Sequence, residues 1–183
     1  MRKIIAQLFV SVDGVMEAPE DWHFPYYDDQ MGEVVAEQFH QADTLLLGRA
    51  TYEVFAASWP QRGDEVPLAK RINAMPKLVA STTLDTVHWH NSTLIVGDVA
   101  TELTKLKEGP GDNITISGSP TLVRSLLREN VLDELQLLVH PIVLGHGGRL
   151  FADDGRRTPL RLVDSVTFGT GVLHLTYRPA DDS

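Results

Sequence analysis

Two glycines stand where a short apolar run gives way to a helix-like segment, and this placement is the chain's clearest chemical signal. The first run is Leu45-Leu46-Leu47-Gly48-Arg49-Ala50-Thr51-Tyr52-Glu53, and the second is Ile114-Thr115-Ile116-Ser117-Gly118-Ser119-Pro120-Thr121-Leu122. A strand that turns through glycine into a helix points free backbone N–H groups at the carboxyl end of a sheet. Open α/β sheets bind their ligands there, and phosphates bind well at such helix starts. Glycine lets a ligand approach the backbone closely, Arg49 adds a fixed cation, and Thr51 adds a hydroxyl. Two such turns in one domain suit a ligand with more than one phosphate group. Either turn alone also reads as an ordinary strand–helix connection, and neither is a G-x-G-x-x-G fingerprint or a P-loop.

Other residues invite a chemical reading beside a plainer one. Asp28 and Asp29 could give a proton to a reduced C=N bond, or could be an acid pair favoured by a helix N-terminus. Asp13, next to Gly14, suits either a substrate pocket or a simple turn. Trp22, Phe24, Tyr26 and Tyr27 crowd one loop, where they could stack on a planar substrate, anchor the loop or form a contact between subunits. His88 and His90 form an H-x-H pair without an evident third ligand, which reads as a solvated surface pair. His140 and His146 flank Pro141 to Gly145, and no G-x-S-x-G elbow marks a nucleophilic serine. The chain has no cysteine, which excludes disulfides, thiolate catalysis and Cys-ligated metal sites.

The elements that must hold these residues follow from hydrophobic periodicity. Residues 3–10 read as a first strand and 11–27 as a long loop. Met31, Val34, Val35, Phe39 and Ala42 fall on one helical face. Strands are expected over 44–47, 77–81, 93–96 and 113–117. One helix runs from an Asp98 cap to Gly109, and another opens with Ser119 as its N-cap and Pro120 at the first helical position. A long strand over 134–144, bent at Pro141, precedes an antiparallel pair at 160–168 and 172–178. The expected fold is α/β, with a mostly parallel central sheet, helices on both faces and an antiparallel C-terminal edge.

The 183 residues, 43% of them hydrophobic, fit one domain spanning 1–183 with a real core. Only Pro179–Ser183 reads as a loose tail. The net charge of −9 argues against nucleic acid as a partner. No apolar stretch approaches the ~18 residues of a membrane span. The start of the chain lacks a signal-peptide cleavage pattern, and a cytoplasmic location is expected.

The order of these motifs resembles the dihydrofolate-reductase-like superfamily. It runs from Ser11-Val12-Asp13-Gly14 through Gly48-Arg49-x-Thr51-Tyr52-Glu53 and Ser117-Gly118-Ser119-Pro120-Thr121-Leu122. It continues with Asp133-Glu134-Leu135 and Pro141-x-x-Leu144-Gly145. The nearer likeness is to the reductase domain of the bifunctional riboflavin-biosynthesis deaminase–reductase. That resemblance implies NADPH as cofactor. Gly48, Arg49 and Thr51 would hold its phosphates, with Arg49 near the adenosine 2′-phosphate. Ser81 and Thr82 would lie on the adenosine side. Gly118, Ser119, Pro120, Thr121 and Leu122 would embrace the pyrophosphate and nicotinamide end. It also implies reduction of a pterin- or aminopyrimidine-like heterocycle, and a homodimer; the substrate-pocket candidates are Asp13, Trp22 and Phe24, from the reading of the loop itself. Two places depart from the pattern. Val139 stands where folate reductases carry a threonine, and Ala56-Ala57-Ser58-Trp59-Pro60 replaces an Ala-Asp-Asp-Pro stretch. A second reading therefore stays open, of a nucleotide-binding or regulatory module that kept the fold without the reaction. A purely structural role is the third.

Overall fold

Ile4–Ser11 is largely buried because it lies in the middle of the sheet, with Ile4, Ala6, Leu8 and Val10 on one face and Gln7 and Ser11 on the other. The computed structural model describes residues 1–63, 65–151 and 156–180. Among them, eight strands form one sheet: β1 (Ile4–Ser11), β2 (Ala42–Gly48), β3 (Lys77–Ala80), β4 (Ser92–Leu94), β5 (Asn113–Ser117), β6 (Glu134–His140), β7 (Leu160–Thr167) and β8 (Leu173–Pro179). Their order is β4-β3-β2-β5-β1-β6-β8-β7. The first six strands pair in parallel, and β8 runs antiparallel to both β6 and β7. The expected mostly parallel sheet with an antiparallel C-terminal edge is the one observed.

Among the described residues, five α-helices cover the two faces: α1 (Asp29–His40), α2 (Arg49–Ser58), α3 (Pro67–Ala74), α4 (Val99–Glu108) and α5 (Pro120–Arg128). On one face, Ile4, Ala6 and Leu8 of β1 and Ile114 and Ile116 of β5 pack against Leu103 of α4 and Val123, Leu126 and Leu127 of α5. On the other, Leu45 and Leu47 of β2 meet Phe39 of α1, Tyr52 of α2 and Ile72 of α3. Since Leu46 joins the first cluster, β2 is buried on both sides, as its unbroken apolar run predicts. A smaller cluster of Met31, Leu138, Phe168 and Val172 lies beside β6.

Ala42, expected on the same helical face as Met31 and Phe39, instead begins β2, because α1 ends at His40. Two other expectations need correction. The strand expected over 134–144 stops at His140. Pro141 has no N–H with which to continue the ladder. The chain turns there, with Val12 N–H donating to the Ile142 carbonyl at 2.9 Å. The expected Ser119 cap is the second. Ser119 does precede α5, but its backbone is left-handed, at φ 62°, and its side chain makes no capping bond to the helix. Its hydroxyl is used elsewhere. The tail expected over Pro179–Ser183 begins later, since Pro179 ends β8 opposite Leu160 and Ala180 N–H donates to the Pro159 carbonyl; residues 181–183 lie outside the described residues.

Candidate functional site

β2 and β5 are neighbours, with Leu46 paired to Ile116, so α2 and α5 begin side by side at the carboxyl edge of the sheet. Their starts differ from those of α1 and α4. There, Asp28 accepts from Met31 N–H at 2.9 Å and Asp98 from Thr101 N–H at 2.8 Å. Neither α2 nor α5 has a side-chain cap. The first-turn N–H groups of both remain available to an outside acceptor, and both helix dipoles present their positive ends there.

One hydroxyl joins the two turns. Ser119 Oγ accepts from Gly48 N–H at 2.8 Å and donates to Thr51 Oγ1 at 2.9 Å. Ser119 is buried. The glycines are what let the turns come so close. A Cβ on Gly118, whose φ is +80°, would lie 3.0 Å from Thr51 Cγ2 and Oγ1. A Cβ on Gly48 would lie 3.3 Å from Ser119. The two sequence signals are thus halves of one cradle.

The other expected cofactor residues line the same edge. Arg49 is about half exposed, and its guanidinium lies 3.6 Å from Glu53, a loose surface pair that leaves it at the rim. Ser81 and Thr82 follow β3, the next strand along. Ser81 Oγ accepts from the N–H groups of Thr83 and Leu84, shaping that turn, and Thr82 is exposed. Thr121 Oγ1 accepts from Arg124 at 3.1 Å. The Leu122 side chain belongs to the core, and its Cβ would lie 3.9 Å from a Cβ on Gly48.

On the other side of β1 the structure gives the expected substrate residues varied places. Asp13 fastens two loops together. Its carboxylate accepts from Ser11 Oγ at 2.6 Å, Leu144 N–H at 3.1 Å and Gly145 N–H at 2.8 Å. The Ser11 hydroxyl and these two amides hold its pKa down at about 2. Glu17 likewise accepts from Gly148 N–H. Asp28 caps α1, and Asp29 is exposed in its first turn. Trp22 is buried and donates through Nε1 to the Glu17 carbonyl, whereas Phe24 is 64% exposed.

Between them lies a cluster that the sequence reading did not assemble. His23 is sandwiched between Phe9, at 4.8 Å between ring centroids, and Phe24, at 4.1 Å. His140, wholly buried at the end of β6, meets Phe9, Trp22, Tyr26 and His23 edge-on. His140 Nδ1 lies 2.9 Å from the Leu138 carbonyl, while His140 Nε2 and His23 Nδ1 are buried without a hydrogen-bond partner. Burial lowers the pKa of both imidazoles below the usual value. For His23, the nearness of His140 lowers it further and Glu20 opposes the shift. His23 sits in a run of aromatics and His140 ends an apolar strand, so no periodic signal links them.

A broad groove of about 630 Å³ lies elsewhere, towards the amino half of the strands. Glu37, Glu134 and Asp164 line it, against Arg161 and an Arg178 tied to Glu134. It also borders the C-terminal half of α1. That is the wrong dipole end for a pyrophosphate, so the glycine turns remain the better anion site. Among the described residues no group of three or more His, Asp or Glu side chains could hold a metal ion, and no helix is long and apolar enough to cross a membrane.

An open α/β sheet with a paired glycine cradle at its carboxyl edge, closed by an antiparallel strand pair, is the dihydrofolate-reductase-like fold. The chain belongs to the RibD C-terminal domain family, whose model matches residues 2–174. It is 32% identical over 183 aligned positions to the uncharacterized protein YyaP of Bacillus subtilis, covering 96% of this chain and 94% of that one. It is 30% identical to YwjB of the same organism, over 94% and 97% of the two chains. Among solved structures, a putative riboflavin biosynthesis protein from Shewanella sp. PV-4 superposes with a TM-score of 0.77 at 20% identity, over 98% and 99% of the chains. Dihydrofolate reductase from Enterococcus faecalis, complexed with NADP(H), superposes at 0.65 and 18% identity, over 98% and 97%. Family and fold together support a reductase-type function.

Proposed function

We propose that the protein is an NADPH-dependent reductase of a small planar heterocycle of pterin or aminopyrimidine type. The observation that carries this reading is the Ser119 link, which sets two uncapped helix starts side by side. Two open N-termini, two glycines and a rim arginine fit a dinucleotide carrying a pyrophosphate and a further phosphate. In this reading the backbone at Gly48–Thr51 and Gly118–Leu122 binds the pyrophosphate, Arg49 pairs with a 2′-phosphate, and Ser81 and Thr82 border the adenosine. Once bound, the cofactor would supply a hydride, and the chain supplies orientation and electrostatics. Phe24 offers an exposed ring face for a planar substrate, and the 11–27 loop, pinned by Asp13 and Glu17, screens the site from water.

The test is a fluorescence titration with NADPH and NADH. Arg49→Ala should weaken NADPH binding about 10-fold or more, as loss of a charge-assisted contact implies, and leave NADH binding unchanged. Equal effects on both would sink the assignment. NADPH oxidation is then followed across pterins and aminopyrimidines. Asp28 is engaged in capping α1 and Asp29 is exposed, which favours the second reading, a nucleotide-binding module without the reaction. Cofactor binding without oxidation of any acceptor would support that alternative.

A further inference from the structure

Reducing a C=N bond takes a proton as well as a hydride, and the proton must come from a group within reach. The carboxylates at this end of the sheet are spoken for or in water. Asp13 and Glu17 hold backbone amides, Asp28 caps α1, and Glu20, Asp21 and Asp29 are exposed. What remains is the imidazole pair. Ser11 pairs with His140, which puts it at the carboxyl end of β6 beside β1. The cradle strand β5 lies on the other side of β1, two strand spacings or about 10 Å away. His23 retains 8% exposure and lies against Phe24, the exposed ring of this loop, with the two ring planes tilted by 36°. His140 lies behind it, 6.2 Å away between centroids with the ring planes at 90°. Each ring leaves one buried nitrogen without a partner, a costly state in a core unless something else uses it.

We propose that His23 is the proton donor to the heterocycle, and that His140, packed behind it, sets its charge. This rests on the reductase reading. In the step, bound NADPH would supply the hydride that bonds to the substrate carbon and would be left oxidised. The C=N electron pair moves to nitrogen, and the His23 imidazolium supplies the proton that forms the N–H bond. NADP⁺ and neutral His23 remain, and water reprotonates the ring. The groups that face His23 are His140 from β6, Glu20 from the preceding turn and Tyr27 from the loop. Of these, Glu20 favours the cation and His140 opposes it.

The test is NMR of the full chain with ¹³C-labelled histidine, titrated from pH 4.5 to 8. The His23 signal is assigned by its loss in His23→Gln. Its midpoint should lie below 6.5 and rise in His140→Gln. Adding NADP⁺ with a 7,8-dihydropterin as probe should shift the His23 signal while those of His40 and His88 stay put. His23→Gln should bind NADPH within about twofold of the parent. If the cofactor binds but the His23 signal neither moves with the probe nor responds to His140→Gln, the proposal is overturned. A large loss of NADPH affinity in His23→Gln overturns it too, since His23 would then be a cofactor ligand. If NADPH does not bind the unaltered chain, the reductase reading itself falls and this proposal falls with it.

Discussion

Removing the Ser119 hydroxyl should damage stability and cofactor binding together. In Ser119→Ala, Gly48 N–H loses the acceptor it has at 2.8 Å, in a place too crowded for easy replacement. A partly buried amide without a partner costs about 1–3 kcal/mol. Thr51 is less buried and can turn to water, so its loss adds little. In a domain of this size, about 1–3 kcal/mol lowers Tm by roughly 2–12 °C. The turns would also lose their common anchor, and a loss of about 1–2 kcal/mol in cradle geometry means a Kd for NADPH about 5- to 30-fold weaker. Ser119→Gly separates the two causes. It removes the same hydroxyl but relieves the left-handed backbone at φ 62°, a conformation that costs a non-glycine residue about 1 kcal/mol. The unfolded chain gains freedom from glycine, so the relief is partial. Ser119→Gly should therefore be no less stable than Ser119→Ala yet bind NADPH as poorly. Urea melts and fluorescence titration read the two quantities. If Ser119→Ala stays within about 0.3 kcal/mol of the parent and keeps its cofactor affinity, the cradle is not held by this residue.

Three further outcomes follow from the geometry. Gly118→Ala places a methyl 3.0 Å from Thr51 at a φ of +80°, and should cost about 2 kcal/mol or more in urea melts with NADPH binding lost; near-parent behaviour would refute the close approach. Lys77 donates from a fully buried Nζ to the carbonyls of Asn73, Met75 and His90, and lies over the Trp89 ring at 4.3 Å. Lys77→Met strands those carbonyls and should destabilise by about 2–3 kcal/mol, with a loss below 0.5 kcal/mol counting against the cage. The third outcome concerns acid. Burial lowers the pKa of His23, His140 and His174 below 6.5 in the folded state, so in the window just beneath 6.5 the unfolded chain binds more protons. Stability is then full above pH 6.5 and falls as the pH drops. Asp13, held at about 2, adds a later loss as the pH falls from near 4 towards 2. Thermal melts across pH 7.5 to 3 should fall in that order, and a flat profile between 7 and 5 would contradict it.

Much of this was legible because the local signals are strong. β5 was read to the residue, since Asn113 and Ser117 bound an apolar run of fixed length. Asp98 and Gly109 marked both ends of α4, and each sits where capping physics puts it. What the sequence could not display is contact between distant segments. Ser119 and Gly48 lie 71 positions apart, so a residue that looked like a helix cap proved to be a cross-link between turns. Asp13 was a turn aspartate until Leu144 and Gly145, some 130 positions on, came to its carboxylate. The histidine pair was hidden for the same reason, as neither imidazole has a neighbour in sequence that reveals the other. Strand order is also nonlocal, since nothing near Ile4 says which strands will flank it.

That last point bears on how the chain is made. β1 is synthesised before its partners, of which β5 is complete at Ser117 and β6 only at His140. Until Ser117 is made, Ile4, Ala6, Leu8 and Val10 have no neighbouring strand to join, and the β6 edge of β1 stays open until His140 is made. The glycine cradle can form earlier, from β2 and β5, but the loop beside it is pinned only after Gly148. Synthesis therefore runs from cradle to lid, and a chain halted before β6 would leave β1, paired with β5, as the open edge of a half-built sheet.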